Sequence, residues 1–185
     1  RSGLGSSSAF TVGFLQSLHA LKGELTTKKQ LAQDAIHVEQ NLIGESVGSQ
    51  DQCCTAYGGI NRIDFHSNGD IEVRPIILTQ QKIKILEDRL VMVFTGLTRF
   101  ASEIAASQIS QTCNHITELR RMREMVDEGI RILSGDINDF DAFGRLLHET
   151  WCIKRELTEQ ISNSHLESVY DAGLRAGALG GKLLG

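Results

Sequence analysis

The sequence predicts an α+β protein in two lobes, helical at its start, crossed by one hairpin and helical again through its second half. Three observations carry that expectation. Apolar residues recur at helical spacing at Phe10, Phe14, Leu18 and Leu21, two alternating segments flank an Asn68-Gly69 turn, and amphipathic patterns follow one another from Ile116 onward. A length of 185 residues buries an adequate core as one ordinary domain or two small ones.

The first helix is expected over Ala9 to Leu21, with the Phe10–Phe14–Leu18–Leu21 stripe as its buried face and Lys22-Gly23 as its end. A second runs through Leu31, Ala35, Val38 and Leu42, capped by Thr27 or a neighbour and stopped at Gly44, which sets Glu39 beside its buried face. Asn61 to Phe65 and Ile71 to Ile76 alternate as strands, and Pro75 confines the second to an edge or an end. The continuous apolar run from Leu90 to Phe94 predicts a buried strand closed by Thr95-Gly96. Ile116, Leu119, Met122, Val126, Ile130 and Leu133 make one helical stripe ending at Gly135, and Leu146, Thr150, Ile153, Leu157 and Ile161 another. Ser164-x-x-Glu167 reads as a capping box for a last helix through Tyr170 and Gly173. The domain boundary is expected near Thr79 to Lys84, dividing residues 1–80 from 81–185.

Charge and composition exclude several classes. With 19 Lys+Arg against 23 Asp+Glu, a net charge of -4 and no basic tract, the chain lacks the footprint of a nucleic-acid binder. No apolar run reaches the roughly 20 residues that span a bilayer, so a membrane is not an expected partner. Cys53, Cys54, Cys113 and Cys152 have no CxxC spacing and read as reduced thiols of a cytoplasmic protein. Both ends read as cut, Arg1 standing directly before a glycine-rich loop and Leu183-Leu184-Gly185 entering a turn.

Three segments carry chemistry. Gly3-Leu4-Gly5-Ser6-Ser7-Ser8 at a helix start lets backbone N–H groups approach an anion where the helix dipole favours negative charge, which describes a phosphate cradle. It is neither a dinucleotide fingerprint nor a Walker A loop, and its composition alone fits a flexible linker equally well. Glu39 lies on the next helix, and Asp51 follows in a glycine-containing loop, Gly48-Ser49-Gln50-Asp51-Gln52. Gly177-Ala178-Leu179-Gly180-Gly181-Lys182 is a second glycine-rich turn, which by itself is only a helix exit.

Gly-Leu-Gly-Ser-Ser-Ser-Ala followed by an apolar helix resembles the second motif of the GHMP kinases, named for galactokinase, homoserine kinase, mevalonate kinase and phosphomevalonate kinase. Tyr57-Gly58-Gly59-Ile60-Asn61, Thr95-Gly96-Leu97-Thr98-Arg99 and His148-Glu149-Thr150-Trp151 extend the likeness towards the bacterial kinases of D-glycero-D-manno-heptose 7-phosphate and related fucose kinases. The resemblance implies a two-lobed fold, with a partial N-terminal lobe like the second domain of ribosomal protein S5 and a partial ferredoxin-like C-terminal lobe. It implies ATP and Mg²⁺ as cofactors, with Gly3, Leu4, Gly5, Ser6, Ser7, Ser8, Gly181 and Lys182 at the nucleotide, Ser6 and Glu39 on the metal, and Asp51 as catalytic base. Gln50 and Arg99 are implied at the substrate, although Arg99 also suits ordinary surface pairing. The implied reaction moves the γ-phosphate of ATP to the anomeric hydroxyl of a sugar, with D-glycero-D-manno-heptose 7-phosphate as the first-choice substrate. A fucose or other hexose 1-kinase, or a catalytically silent sensor or fragment, is the alternative. A family member also supplies a strand and a glycine-containing substrate motif ahead of Arg1.

Overall fold

A computed structural model of the chain describes residues 4–96, 112–158 and 161–184. They divide into two units, one built on residues up to Ile76 and the other on the described residues from Ile77 to Leu183.

In the first unit the small residues after Gly5 open helix α1 (Ser6–Lys22), and Gly23 closes it with its N–H on the carbonyls of Ala20 and His19. Thr27 caps α2 (Lys28–His37), its hydroxyl accepting from the N–H of Gln30. The chain then widens into a π-helical turn (Val38–Leu42) that carries Glu39, a form that recurs at functional sites. Helix α3 (Gln50–Tyr57) follows. Val12 of α1 meets Leu31 and Ala35 of α2, with Leu15 and Ala56 against them, and this is the local core. Lys28 Nζ donates to the Tyr57 carbonyl at 2.7 Å, fastening the start of α2 to the end of α3.

Two expectations change here. The buried face of α1 is the one through Ser8 and Val12, whereas Phe10 and Leu21 are 72% and 84% exposed. Alanines 32 and 35 let α2 come close on the Val12 side, so the smaller residues take the core and the aromatic stripe is left outside. Asp51, read as a loop residue, lies in the first turn of α3, where a carboxylate complements the helix dipole.

Strands β1 (Asn61–Phe65) and β2 (Ile71–Pro75) pair antiparallel as a hairpin, Ile63 opposite Val73, with Pro75 at the strand end as expected. Gly69 turns the hairpin at φ 87°, and Asn68 Oδ1 accepts from the Asp70 N–H at 3.0 Å.

The second unit is helical. Thr79 caps α4 (Gln80–Arg89), a helix that the sequence reading passed over in placing a boundary there. The Lys82 ammonium reaches the carbonyls of Leu133, Ser134 and Gly135 at 3.1, 2.8 and 2.6 Å, the open end of α5 (Ile116–Ser134). Helix α6 (Phe140–Glu156) packs on α5, and a methyl on Gly129 would sit 3.6 Å from Leu146 and 3.7 Å from Phe143. The inward residues of α5 are Met125, Gly129 and Leu133, and the expected stripe turns partly outward, leaving Ile116 and Val126 exposed. Helix α7 (Ser164–Arg175) is capped by Asn163, one residue before the expected Ser164, its Oδ1 accepting from the Leu166 N–H at 3.0 Å.

Leu90 to Phe94 is not a strand but an exposed irregular segment after α4. A strand needs a neighbour for its backbone N–H and C=O groups, and among the described residues the hairpin is the only sheet. No helix among the described residues is long and apolar enough to cross a membrane.

Candidate functional site

The start of α1 touches both acidic residues singled out in the sequence. Gly5 is the N-cap at φ 67°, a left-handed conformation that suits glycine, and a Cβ built there would lie 3.3 Å from Asp51 Oδ2. One turn on, the Ser8 hydroxyl donates to Glu39 Oε2 at 3.1 Å. Glycine at position 5 thus admits one carboxylate and serine at position 8 binds the other.

No side chain caps this helix start and no acidic residue lies in its first turn. Its first N–H groups have no partners within the helix, so this end can receive a phosphate. Leu4, Ser6 and Ser7 are exposed along it, while Gly3 lies outside the described residues.

Glu39 is 2% exposed and is held through one oxygen only. Both the Ser8 hydroxyl and Gln52 Nε2, at 2.5 Å, donate to Oε2. Oε1 is buried and has no hydrogen-bond partner. A lone pair left so inside a protein costs at least about 1–3 kcal/mol, and more on a charged group, and a hard cation relieves it. Among the described residues no three His, Cys, Asp or Glu side chains gather into a metal cage. Magnesium binds through one or two carboxylates and completes its octahedron with water and substrate phosphates, and the unpartnered Glu39 Oε1 offers one such carboxylate oxygen. The free oxygen of Glu39 therefore fits that ion.

Asp51 is exposed and its carboxylate makes no hydrogen bond or ion pair among the described residues, leaving it open to a hydroxyl. Gln40, next to Glu39 on the π turn, donates to the Val47 carbonyl at 2.8 Å and to Ser49 Oγ at 3.1 Å. It ties down the segment leading to Asp51. Beyond Asp51, burial pushes the Cys53 thiol up to about 11, with Cys54 beside it adding to the shift.

The second glycine-rich turn lies in the other unit. A Cβ at Gly180 would fall 2.2 Å from the Gly144 carbonyl and 2.6 Å from the His148 nitrogen, so this glycine lets the chain close onto the backbone of α6. Gly181 rests on the Tyr170 ring and Lys182 is exposed. Trp151 is buried as core, and Arg155 lies over the Trp151 and Tyr170 rings and pairs with Glu167. His148 Nδ1 and the Tyr170 hydroxyl are hydrogen-bonded at 2.6 Å. Gln50 is exposed as the first residue of α3, and Arg99 lies outside the described residues.

Sequence reasoning gave Gln40 and Gln52 no role, and set Ser8 at the nucleotide without its bond to Glu39. The signal for Ser8 was its place four residues before Val12, on one helical face. With the aromatic stripe taken as the inner face, Ser8 falls outside. The misassigned face and the missed Ser8–Glu39 bond are one error.

Comparison with known proteins gives a consistent set of likenesses. The profile of the GHMP kinases N terminal domain matches residues 1–59. Over 185 residues the chain is 28% identical to D-glycero-alpha-D-manno-heptose 7-phosphate kinase of Campylobacter jejuni, covering 100% of this chain and 54% of that protein. It is 27% identical over 179 residues to the bifunctional fucokinase/GDP-fucose pyrophosphorylase of Arabidopsis thaliana, covering 92% of this chain and 16% of that one. A crystal structure of a D-glycero-D-manno-heptose 1-phosphate kinase from Bacteriodes thetaiotaomicron matches 100% of this chain and 50% of its own, with a TM-score of 0.72 and 25% identity. The chain spans about half the length of the heptose kinase relative.

Proposed function

We propose that this chain, which belongs to the GHMP kinase superfamily, is part of an ATP-dependent sugar kinase that phosphorylates the anomeric hydroxyl of D-glycero-D-manno-heptose 7-phosphate. Its helix-and-strand N-terminal region and helical C-terminal region make a GHMP-kinase-like fold. The finer assignment of an S5-domain-2-like lobe over 1–80 and a ferredoxin-like lobe over 81–185 goes with this proposal, as does a cytoplasmic location.

One observation carries the reading: a single turn of glycine and serine touches both carboxylates, Gly5 against Asp51 and Ser8 against Glu39. Phosphoryl transfer asks for that convergence, because its catalysis is positioning and charge stabilisation about an in-line displacement. The first-turn N–H groups of α1, from Gly5 to Ser8, cradle the nucleotide phosphates, and Gly3 and Leu4 lead into that cradle. Glu39 Oε1 and the Ser6 hydroxyl hold Mg²⁺, which supplies neutralisation of the phosphate charge. Asp51 orients the anomeric hydroxyl and takes its proton as the new O–P bond forms, while the bond from the γ-phosphorus to the β–γ bridging oxygen breaks and ADP departs. Gln50 and Arg99 are the proposed sugar contacts.

The test is turnover by the intact protein, followed as ADP release with ³¹P NMR of the product. Asp51→Asn is expected to lower kcat by about 10²–10⁴-fold, the usual share of a general base, and full turnover in that variant overturns its role. Turnover that is indifferent to a phosphate already on the sugar overturns the heptose 7-phosphate assignment. The likeness to a protein named for fucokinase activity favours fucose, or another hexose, as the second acceptor to try.

A further inference from the structure

Gln52 is wholly buried on α3, one residue past Asp51. Its amide orientation follows from chemistry, since a carboxylate only accepts and the atom 2.5 Å from Glu39 Oε2 must therefore be the NH₂ nitrogen. Gln52 Oε1 is left buried and without a hydrogen-bond partner, like Glu39 Oε1. A site chosen for stability alone would bury an apolar side chain here, because unsatisfied buried acceptors are costly.

The bonds converge on one atom. Ser8 from α1 and Gln52 from α3 both donate to Oε2, from opposite sides in sequence of the π turn that carries Glu39. Two donors from two helices fix the carboxylate's rotation and occupy one oxygen, so only Oε1 can serve a ligand. Resting on the kinase reading above, we infer that Gln52, together with Ser8, is a positioning residue that presents Glu39 to the metal through Oε1 alone. Neither residue needs to touch the ion. Removing either donor frees the carboxylate to rotate and to spend its lone pairs elsewhere, and metal affinity falls while the Glu39 charge remains.

The measurement is Mn²⁺ binding to the intact protein in the presence of ADP, followed by the electron paramagnetic resonance of free Mn²⁺. Gln52→Met keeps the volume and removes the donor, and is expected to weaken Mn²⁺ by about 10–100-fold, as loss of a partner behind a metal ligand does. Ser8→Ala removes the other donor and gives the same test should Gln52→Met not fold, which circular dichroism reads. Glu39→Gln is the reference and should abolish tight binding. A purely structural Gln52 would lower the melting temperature in EDTA yet leave Mn²⁺ affinity unchanged well below that temperature. Weakening in Glu39→Gln with wild-type affinity in folded Gln52→Met and Ser8→Ala overturns the positioning role and leaves the kinase reading standing. Wild-type affinity in Glu39→Gln overturns this inference and the Glu39 assignment together, while turnover with a sugar acceptor judges the kinase reading separately.

Discussion

At the scale of the residue, the site depends on what Gly5 lacks. An alanine there meets both a left-handed backbone, costing about 1–2 kcal/mol, and the Asp51 carboxylate at 3.3 Å. Gly5→Ala is therefore expected to destabilise the protein by about that amount in urea melts, and to lower turnover further by displacing Asp51. Unchanged stability and turnover would remove Gly5 from the site. Cys53 gives a prediction in pH. Its thiol titrates at about 11 when folded against 9.0 for an ordinary thiol, chiefly through burial. A raised value means that the folded state holds the proton longer, so this contribution to stability is complete below pH 9 and disappears as pH rises through about 11. Chemical denaturation from pH 8 to 11 should show that loss, and Cys53→Ala should flatten it. At pH 8, iodoacetamide should label exposed Cys54 and Cys113 well ahead of Cys53.

At the scale of the element, what the sequence made legible is what local chemistry decides. Thr27 as a cap, Gly23 as a stop and the Asn68-Gly69 hairpin all follow from bonds within a few residues, and each stands as expected. What depended on packing was harder to read. Which face of α1 turns inward is set by the small residues of α2, and Leu90 to Phe94 becomes a strand only beside another strand. The site was legible to the same degree: Glu39, Asp51 and the glycine-serine turn were visible as types, but the Ser8–Glu39–Gln52 bonds depend on helix faces. Two elements can be tested directly. The Lys82 ammonium serves three carbonyls at the end of α5, and Lys82→Met should cost about 0.5–1.5 kcal/mol, because these largely exposed acceptors lose a charged donor and turn to water. An equal melting temperature would make the contact incidental. In the hairpin, hydrogen bonds from Arg62 and Arg74 hold the Asp64 carboxyl well below the usual range. A depressed value stabilises above the ordinary carboxylate pKa and is lost as pH falls, so Asp64→Asn should reduce the acid sensitivity of folding.

At the scale of the whole molecule, the apolar surface is not spent where the helical periodicity placed it. Phe10, Phe14, Leu21 and Leu25 stand out from the first unit, and Leu90 to Phe94 from the second. Contiguous exposed apolar surface drives association unless charge opposes it, and a net charge of -4 over 185 residues is a weak opponent. That charge vanishes near the isoelectric point of about 5.9. The chain is therefore expected to enhance anilinonaphthalene sulfonate fluorescence and to show a weight-average mass that rises with concentration in sedimentation, most steeply near pH 6. Replacing Phe10 and Phe14 with serine and Leu21 with lysine should reduce both signals while the helical dichroism holds, because the local core is Val12, Leu31 and Ala35 and none of the three replaced side chains belongs to it. A concentration-independent monomer without dye binding would mean that these residues are covered in solution. Loss of helicity in the triple variant would mean that α1 uses its aromatic face after all.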